Sequence, residues 1–149
     1  MNATAMAARV PDHAHVVVPA DGPERSARLD VVTVTRTVSE ALRPLPQGAT
    51  LDPEALAASV ELLTGHIRLL LPLAEAAYNR SRPPEMKGPG LVGHGLAYVL
   101  RRMAWDAPDP DASPHGAHAW VQDSARCVQQ LLGLALAGER GRQHAGGAR

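Results

Sequence analysis

The sequence has little of what several classes of protein require. Its single cysteine, Cys127, can form neither an intramolecular disulfide nor a cysteine-based zinc site. Lysine and arginine total 15 against 15 acidic residues, so the chain has no basic excess for binding nucleic-acid phosphates. Lysine occurs once, at Lys87, and we attribute the many arginines to a GC-rich genome rather than to phosphate binding. A partner other than nucleic acid is therefore expected.

Long apolar runs are also missing. A membrane span needs about 18 apolar residues in succession, and Arg68 interrupts even the leucine-rich centre of the chain. Near the amino terminus the longest apolar run is residues 16–18, which is too short for a signal peptide. We therefore expect a soluble, cytoplasmic protein without a membrane partner.

What the sequence does contain is helical periodicity in four segments. Apolar residues recur every three or four positions within residues 28–43, 53–80, 91–104 and 114–138. Proline- and glycine-rich connections separate these segments. The pattern predicts an all-α fold, a small antiparallel bundle of about four helices.

The two ends of the chain lack such periodicity. Residues 1–26 mix proline, glycine and charged residues, and residues 139–149 are mostly glycine, arginine and glutamine. We predict a disordered arm over 1–26, a bundle domain over 27–138 and a disordered tail over 139–149. Gly138 would end the last helix.

The first segment leaves two conformations open. Residues 31–35 form a β-branched run with strand propensity, whereas Val31, Val34, Val38 and Leu42 follow the spacing of one helix face. No second strand candidate and no hairpin turn follow this run. A helix is therefore the favoured conformation.

The second segment has the clearest helix start. Asp52 is suited to the N-cap, Pro53 to the first helical position, and Glu54 to the positive end of the helix dipole. Pro72 lies inside the segment and predicts a kink or a break. Three leucines, Leu62, Leu69 and Leu73, widen its apolar face and would form an interaction patch if no helix covers them.

Histidines offer the main alternative chemistry. His66 falls within the apolar arc, where it is either a ligand or base facing a pocket, or a core histidine bonded across the bundle. His115 and His118 are three residues apart, so one metal ion could reach both. The surrounding segment lacks the glycine and terminal glutamate of a calcium loop and has no His-Glu-x-x-His motif. A solvated loop and a capped first turn are the favoured interpretation, without a cofactor.

Three smaller features have structural explanations. Arg101 and Arg102 complement the negative end of the third helix. Cys127, on the flank of the last helix, serves as a small apolar residue without an activating motif. Gly65, beside His66, would let a neighbouring helix approach closely.

Residues 63–72, Leu-Thr-Gly-His-Ile-Arg-Leu-Leu-Leu-Pro, together with the last helix from His118 to Leu132, carry a resemblance. The chain resembles a small-protein family of unknown function from antibiotic-producing, high-GC bacteria, labelled natural-product biosynthesis proteins. The resemblance covers about residues 28–136 and makes Thr64, Gly65, His66, Arg68 and Pro72 the candidate motif. Where that family tends to have a glutamate after the proline, this chain has Leu73. The resemblance implies no catalytic residues.

These observations lead to one favoured function and two alternatives. We expect a non-catalytic accessory module that contacts a protein partner or a second copy of itself, in natural-product biosynthesis. The first alternative is a small-molecule or metal-binding bundle, possibly catalytic, centred on His66. A helix-turn-helix regulator is the least favoured, because no helix has a basic recognition face.

Overall fold

The computed structural model describes residues 15–19 and 26–147, and it confirms the all-α fold of four helices. The helices are α1 (Val31–Ala41), α2 (Pro53–Ser81), α3 (Gly90–Met103) and α4 (Pro114–Gly146). Helices α2 and α4 share the most extensive interface, and α1 packs against both of them. The core is aliphatic and lies mainly along this α2–α4 interface.

A short hairpin precedes the bundle. Strands β1 (His15–Pro19) and β2 (Ser26–Asp30) pair antiparallel, with Val17 opposite Arg28. Strand β1 contains the valine run 16–18, in a segment where the sequence shows no strand period, so residues 15–19 and 26 of the predicted disordered arm are paired in this hairpin. The predicted disordered arm otherwise falls on residues 1–14 and 20–25, which lie outside the described residues.

Helix α1 resolves the conformation of the β-branched run. The Asp30 carboxylate accepts hydrogen bonds from the Thr33 backbone N–H at 3.0 Å and from its hydroxyl at 2.6 Å. This cap starts the helix at Val31 rather than at the predicted residue 28. Val34 and Val38 are buried as predicted, so packing overrides the strand propensity of the valines.

Helix α2 begins as predicted but does not break. Asp52 accepts a hydrogen bond from the Glu54 N–H at 3.1 Å, and Pro53 occupies the first turn. The helix continues through Pro72 to Ser81, so of the two predicted alternatives, a kink or a break, the break is wrong. Pro72 and Arg68 are both exposed, so water can satisfy the Arg68 carbonyl that loses its N–H partner.

By length and composition, α2 could also cross a membrane. In this fold, however, it supplies the centre of the core, where Leu63, Ile67 and Leu70 are fully buried. A core helix that is mostly buried passes the same test, whereas 22% of the apolar window of α2 is buried inside this fold.

Helix α4 extends beyond its predicted end at Gly138. It continues to Gly146, so residues 139–146 of the predicted tail are helical, and residues 148–149 lie outside the described residues. A Cβ atom at Gly138 would lie 2.6 Å from the Ala77 Cβ of α2. Gly138 is therefore a point of close helix approach and not a helix stop.

This contact predicts opposite effects for two glycines of α4. Gly138→Ala should lower the free energy of unfolding by about 1–3 kcal/mol, because the new methyl group overlaps Ala77. Gly133→Ala should raise it by up to about 1 kcal/mol, since a Cβ there meets nothing within 4 Å and alanine favours helix. Urea unfolding of both variants checks the pair, and two changes of the same sign would contradict this account of Gly138.

Candidate functional site

The candidate motif of α2 does not converge on one site. The half-buried His66 places its Nε2 atom 3.3 Å from the Thr37 hydroxyl of α1. Gly65, Arg68 and Pro72 are exposed, and Thr64 is half-buried. A Cβ at Gly65 would meet nothing within 4 Å, so the predicted close approach of a helix there is wrong. His66 is thus a histidine that contacts a side chain across the bundle.

Burial lowers the pKa of His66 below the ordinary histidine value. The unfolded chain therefore binds a proton at this position more readily than the folded chain as the pH falls below about 6.5. Folding stability linked to His66 is present above that pH and is lost as the pH falls through the lowered folded pKa. Glutamine does not titrate. We therefore expect the free energy of unfolding of the His66→Gln variant to fall less than that of the unchanged chain between about pH 7 and pH 5. Urea unfolding across that range measures the slope, and parallel curves for the two proteins would contradict the expectation.

His94 lies on α3, and His115 and His118 lie on α4. His115 is exposed in the first turn of α4, His118 is half-buried one turn later, and His94 is exposed on α3. Among residues 15–19 and 26–147, no group of three or more His, Cys, Asp or Glu side chains is positioned to hold a metal ion.

The predicted leucine patch is present in reduced form. Leu62 is 53% exposed and Leu69 is 37% exposed, whereas Leu73 is half-buried against the core. Two of the three leucines are therefore accessible on the surface of α2.

A larger apolar feature lies between α3 and α4. This α3–α4 groove has a volume of about 680 Å³, and its polar side chains are His94 and Gln130. Its apolar lining consists mainly of Leu91, Val92, Leu96, Val99, Leu131 and Leu134. Leu91 is 90% exposed, and Val92, which helical spacing places on the apolar face of α3, is also exposed. The spacing of apolar residues identifies the apolar face of α3. It cannot show that α4 covers only part of that face, which is what the structure reveals.

The amino-terminal end of α3 is fixed against α2. The Tyr78 hydroxyl of α2 donates a hydrogen bond to the Pro89 carbonyl, immediately before α3. One turn later, a Cβ at Gly93 would lie 2.7 Å from the same hydroxyl oxygen. Glycine at this position therefore lets the tyrosine ring and α3 come together.

The carboxyl-terminal end of α3 is fixed against α4 by Arg102. Its guanidinium pairs with the Asp123 carboxylate, donates to the Trp120 carbonyl at 2.8 Å and to the Ser124 hydroxyl at 3.0 Å. The guanidinium also lies 4.9 Å from the centre of the Trp120 ring. Only 14% of the Arg102 side chain is exposed. The interpretation of Arg102 as a helix-dipole partner missed this contact, because the spacing of charges within one helix does not identify a partner on another.

The charges of this ion pair also influence two nearby side chains, Tyr98 and Cys127. A hydrogen bond that Tyr98 donates to Asp123 raises the tyrosine pKa. Burial, followed by the charge of Asp123, raises the pKa of the Cys127 thiol. Cys127 is buried and its thiol is held protonated, as expected of an apolar core residue rather than a nucleophile.

A second groove follows α4 toward its end. This α2–α4 groove, of about 380 Å³, is lined by small residues of α4, by Leu134, and by Arg80 and Arg142. Leu134 also lines the α3–α4 groove, so the two grooves meet at this residue.

Comparisons with known proteins identify no relative. No protein-family model, no curated protein and no solved structure matches the chain.

Proposed function

We propose that this protein is a non-catalytic accessory module that binds an apolar segment of a partner protein in the α3–α4 groove. The observation that carries the proposal is the exposure of apolar side chains along a groove whose walls are fixed at both ends. Tyr78 holds α3 at one end and Arg102 holds it at the other. A groove that exists before binding requires little rearrangement of the protein when a partner enters.

The shape of the groove favours a protein segment over a small molecule. Small-molecule sites enclose about 70–90% of their ligand. Here Leu91 stands almost fully in solvent at the rim, where only a partner that extends beyond the groove would cover it. Contiguous exposed apolar surface of this kind is typical of protein interaction sites.

The sequence supports a particular biological context for this protein. Similarity to the bacterial family named above supports an accessory role in natural-product biosynthesis. The lone cysteine supports action in the reducing cytoplasm. The partner is either a different protein or a second copy of this chain.

Site-specific photo-crosslinking in the producing cells tests the proposal. Leu91→p-benzoyl-phenylalanine places the crosslinker at the groove rim, and the same change at Leu62 places it on the α2 patch. Glu40, exposed on α1, is the matched control position. We expect a defined adduct from position 91 that disappears when Leu134→Glu is added. An adduct from position 62 alone would move the interface to α2, and no adduct above the Glu40 control would contradict the proposed function.

A further inference from the structure

The surface beyond the α3–α4 groove differs from it in charge. Leu134 of α4 lines both this groove and the α2–α4 groove, so the two grooves adjoin at this residue. Among the described residues that line either groove, the side chains that are charged at neutral pH belong to Arg80 and Arg142, and both are basic. The lining of the α3–α4 groove is therefore mainly apolar, whereas the adjoining α2–α4 groove contains two basic side chains.

The two arginines differ in availability. The Arg142 guanidinium forms an ion pair with Glu139 at 3.0 Å. Arg80 is exposed in the last turn of α2, and within the described part of the chain its guanidinium makes no ion pair or hydrogen bond. Its Nη2 atom lies 3.0 Å from the position of a Cβ at Gly138, which places the guanidinium against the floor of the groove. Arg80 is thus available to a ligand lying along α4.

The two grooves together are about as long as a helix of 15 residues. The floor extends along α4 from Gln130 to Ala145, and 15 helical residues rise by about 22 Å. A partner helix of about 15 residues would cover this length. Helical partners commonly place one apolar face in such a groove.

From this charge and length we infer that the partner segment is an amphipathic helix with a carboxylate beyond one end of its apolar stripe. The stripe would occupy the α3–α4 groove, and the carboxylate would pair with Arg80. Arginine can bind a carboxylate through two parallel N–H···O hydrogen bonds, which would fix the direction of the helix. This inference rests on the proposed function, since it assigns chemistry to the segment that the groove binds.

A displayed library of 16-residue helical peptides tests the inference directly. One stripe of positions is limited to apolar residues, and the positions beyond each end of the stripe are free. Selection uses the full chain and, in parallel, its Arg80→Gln variant. Arg68→Gln, which changes an exposed arginine of α2 outside both grooves, is the matched control.

We expect Asp or Glu to be enriched at one end of the stripe with the unchanged chain and with Arg68→Gln, but not with Arg80→Gln. A selected peptide should bind the unchanged chain about two- to fivefold more tightly than its Glu→Gln counterpart, as for an exposed ion pair. The difference should shrink at high salt.

The other outcomes distinguish the inference of an acidic partner helix from the proposed function. Apolar peptides selected without an acidic preference, and blocked by Leu134→Glu, would overturn the inference and leave the proposed function standing. Selection that fails, or that Leu134→Glu does not affect, would contradict both. A homodimer in light scattering that Leu134→Glu dissociates would identify a second copy as the occupant and overturn the inference of an acidic partner helix.

Discussion

Leu63→Ala is expected to lower the free energy of unfolding by about 2–5 kcal/mol, which is a large part of the stability of a small domain. Leu63 has no exposed surface and lies within the core cluster formed chiefly by α2 and α4. Truncation removes buried methyl groups and leaves a cavity that close-packed neighbours fill only in part. Urea unfolding followed by circular dichroism measures the change.

The adjacent leucine provides the control. Leu62 has the same chemistry and precedes Leu63 in the same helix, but 53% of its surface is exposed. Leu62→Ala should change the free energy of unfolding by no more than about 0.5 kcal/mol. Similar losses for the two variants would show that Leu62 is covered, and the leucine patch of α2 would then be ruled out as an accessible surface.

Arg102→Ala is expected to cost about 2–3 kcal/mol of unfolding free energy, because it leaves several buried or half-buried groups without their partner. The Trp120 carbonyl and the Ser124 hydroxyl each lose a hydrogen bond, and Asp123 loses its ion pair. Ser124 is fully buried, so water cannot readily replace the arginine there. Because Asp123 is more than one-third exposed, the ion pair itself should contribute the smaller share.

Arg101 is the matched control for this change. It precedes Arg102 in the last turn of α3 but is exposed, so Arg101→Ala should alter stability by at most about 0.5 kcal/mol. A double-mutant cycle with Asp123→Ala isolates the energy of the ion pair. Equal effects at Arg101 and Arg102 would show that both act through the helix dipole, as the sequence alone suggested.

Arg102 also links stability to the proposed interaction. If its contacts hold α3 in place, Arg102→Ala should weaken crosslinking from position 91 even at temperatures where the bundle stays folded. Crosslinking that persists unchanged would show that the groove does not need this anchor.

The local sequence determined that four segments form helices and which residue begins α2. Asp52 and Pro53 fixed the start of α2, and the apolar spacing identified Val34 and Val38 on the buried face of α1. These features depend on contacts within one turn and on a period of 3.6 residues, both of which can be counted along the chain. The helical conformation of residues 31–38 followed from the same spacing.

Tertiary structure decided what depends on the distance between helices. Gly138 looks like a helix stop in the sequence, and only the proximity of Ala77 explains why α4 has a glycine there. Arg102 looks like a dipole partner until Asp123, 21 residues away, is brought beside it. The α3–α4 groove likewise exists because two helices are anchored at their ends and leave apolar surface uncovered between them. Residue spacing describes one helix at a time, whereas these features arise from the placement of one helix against another.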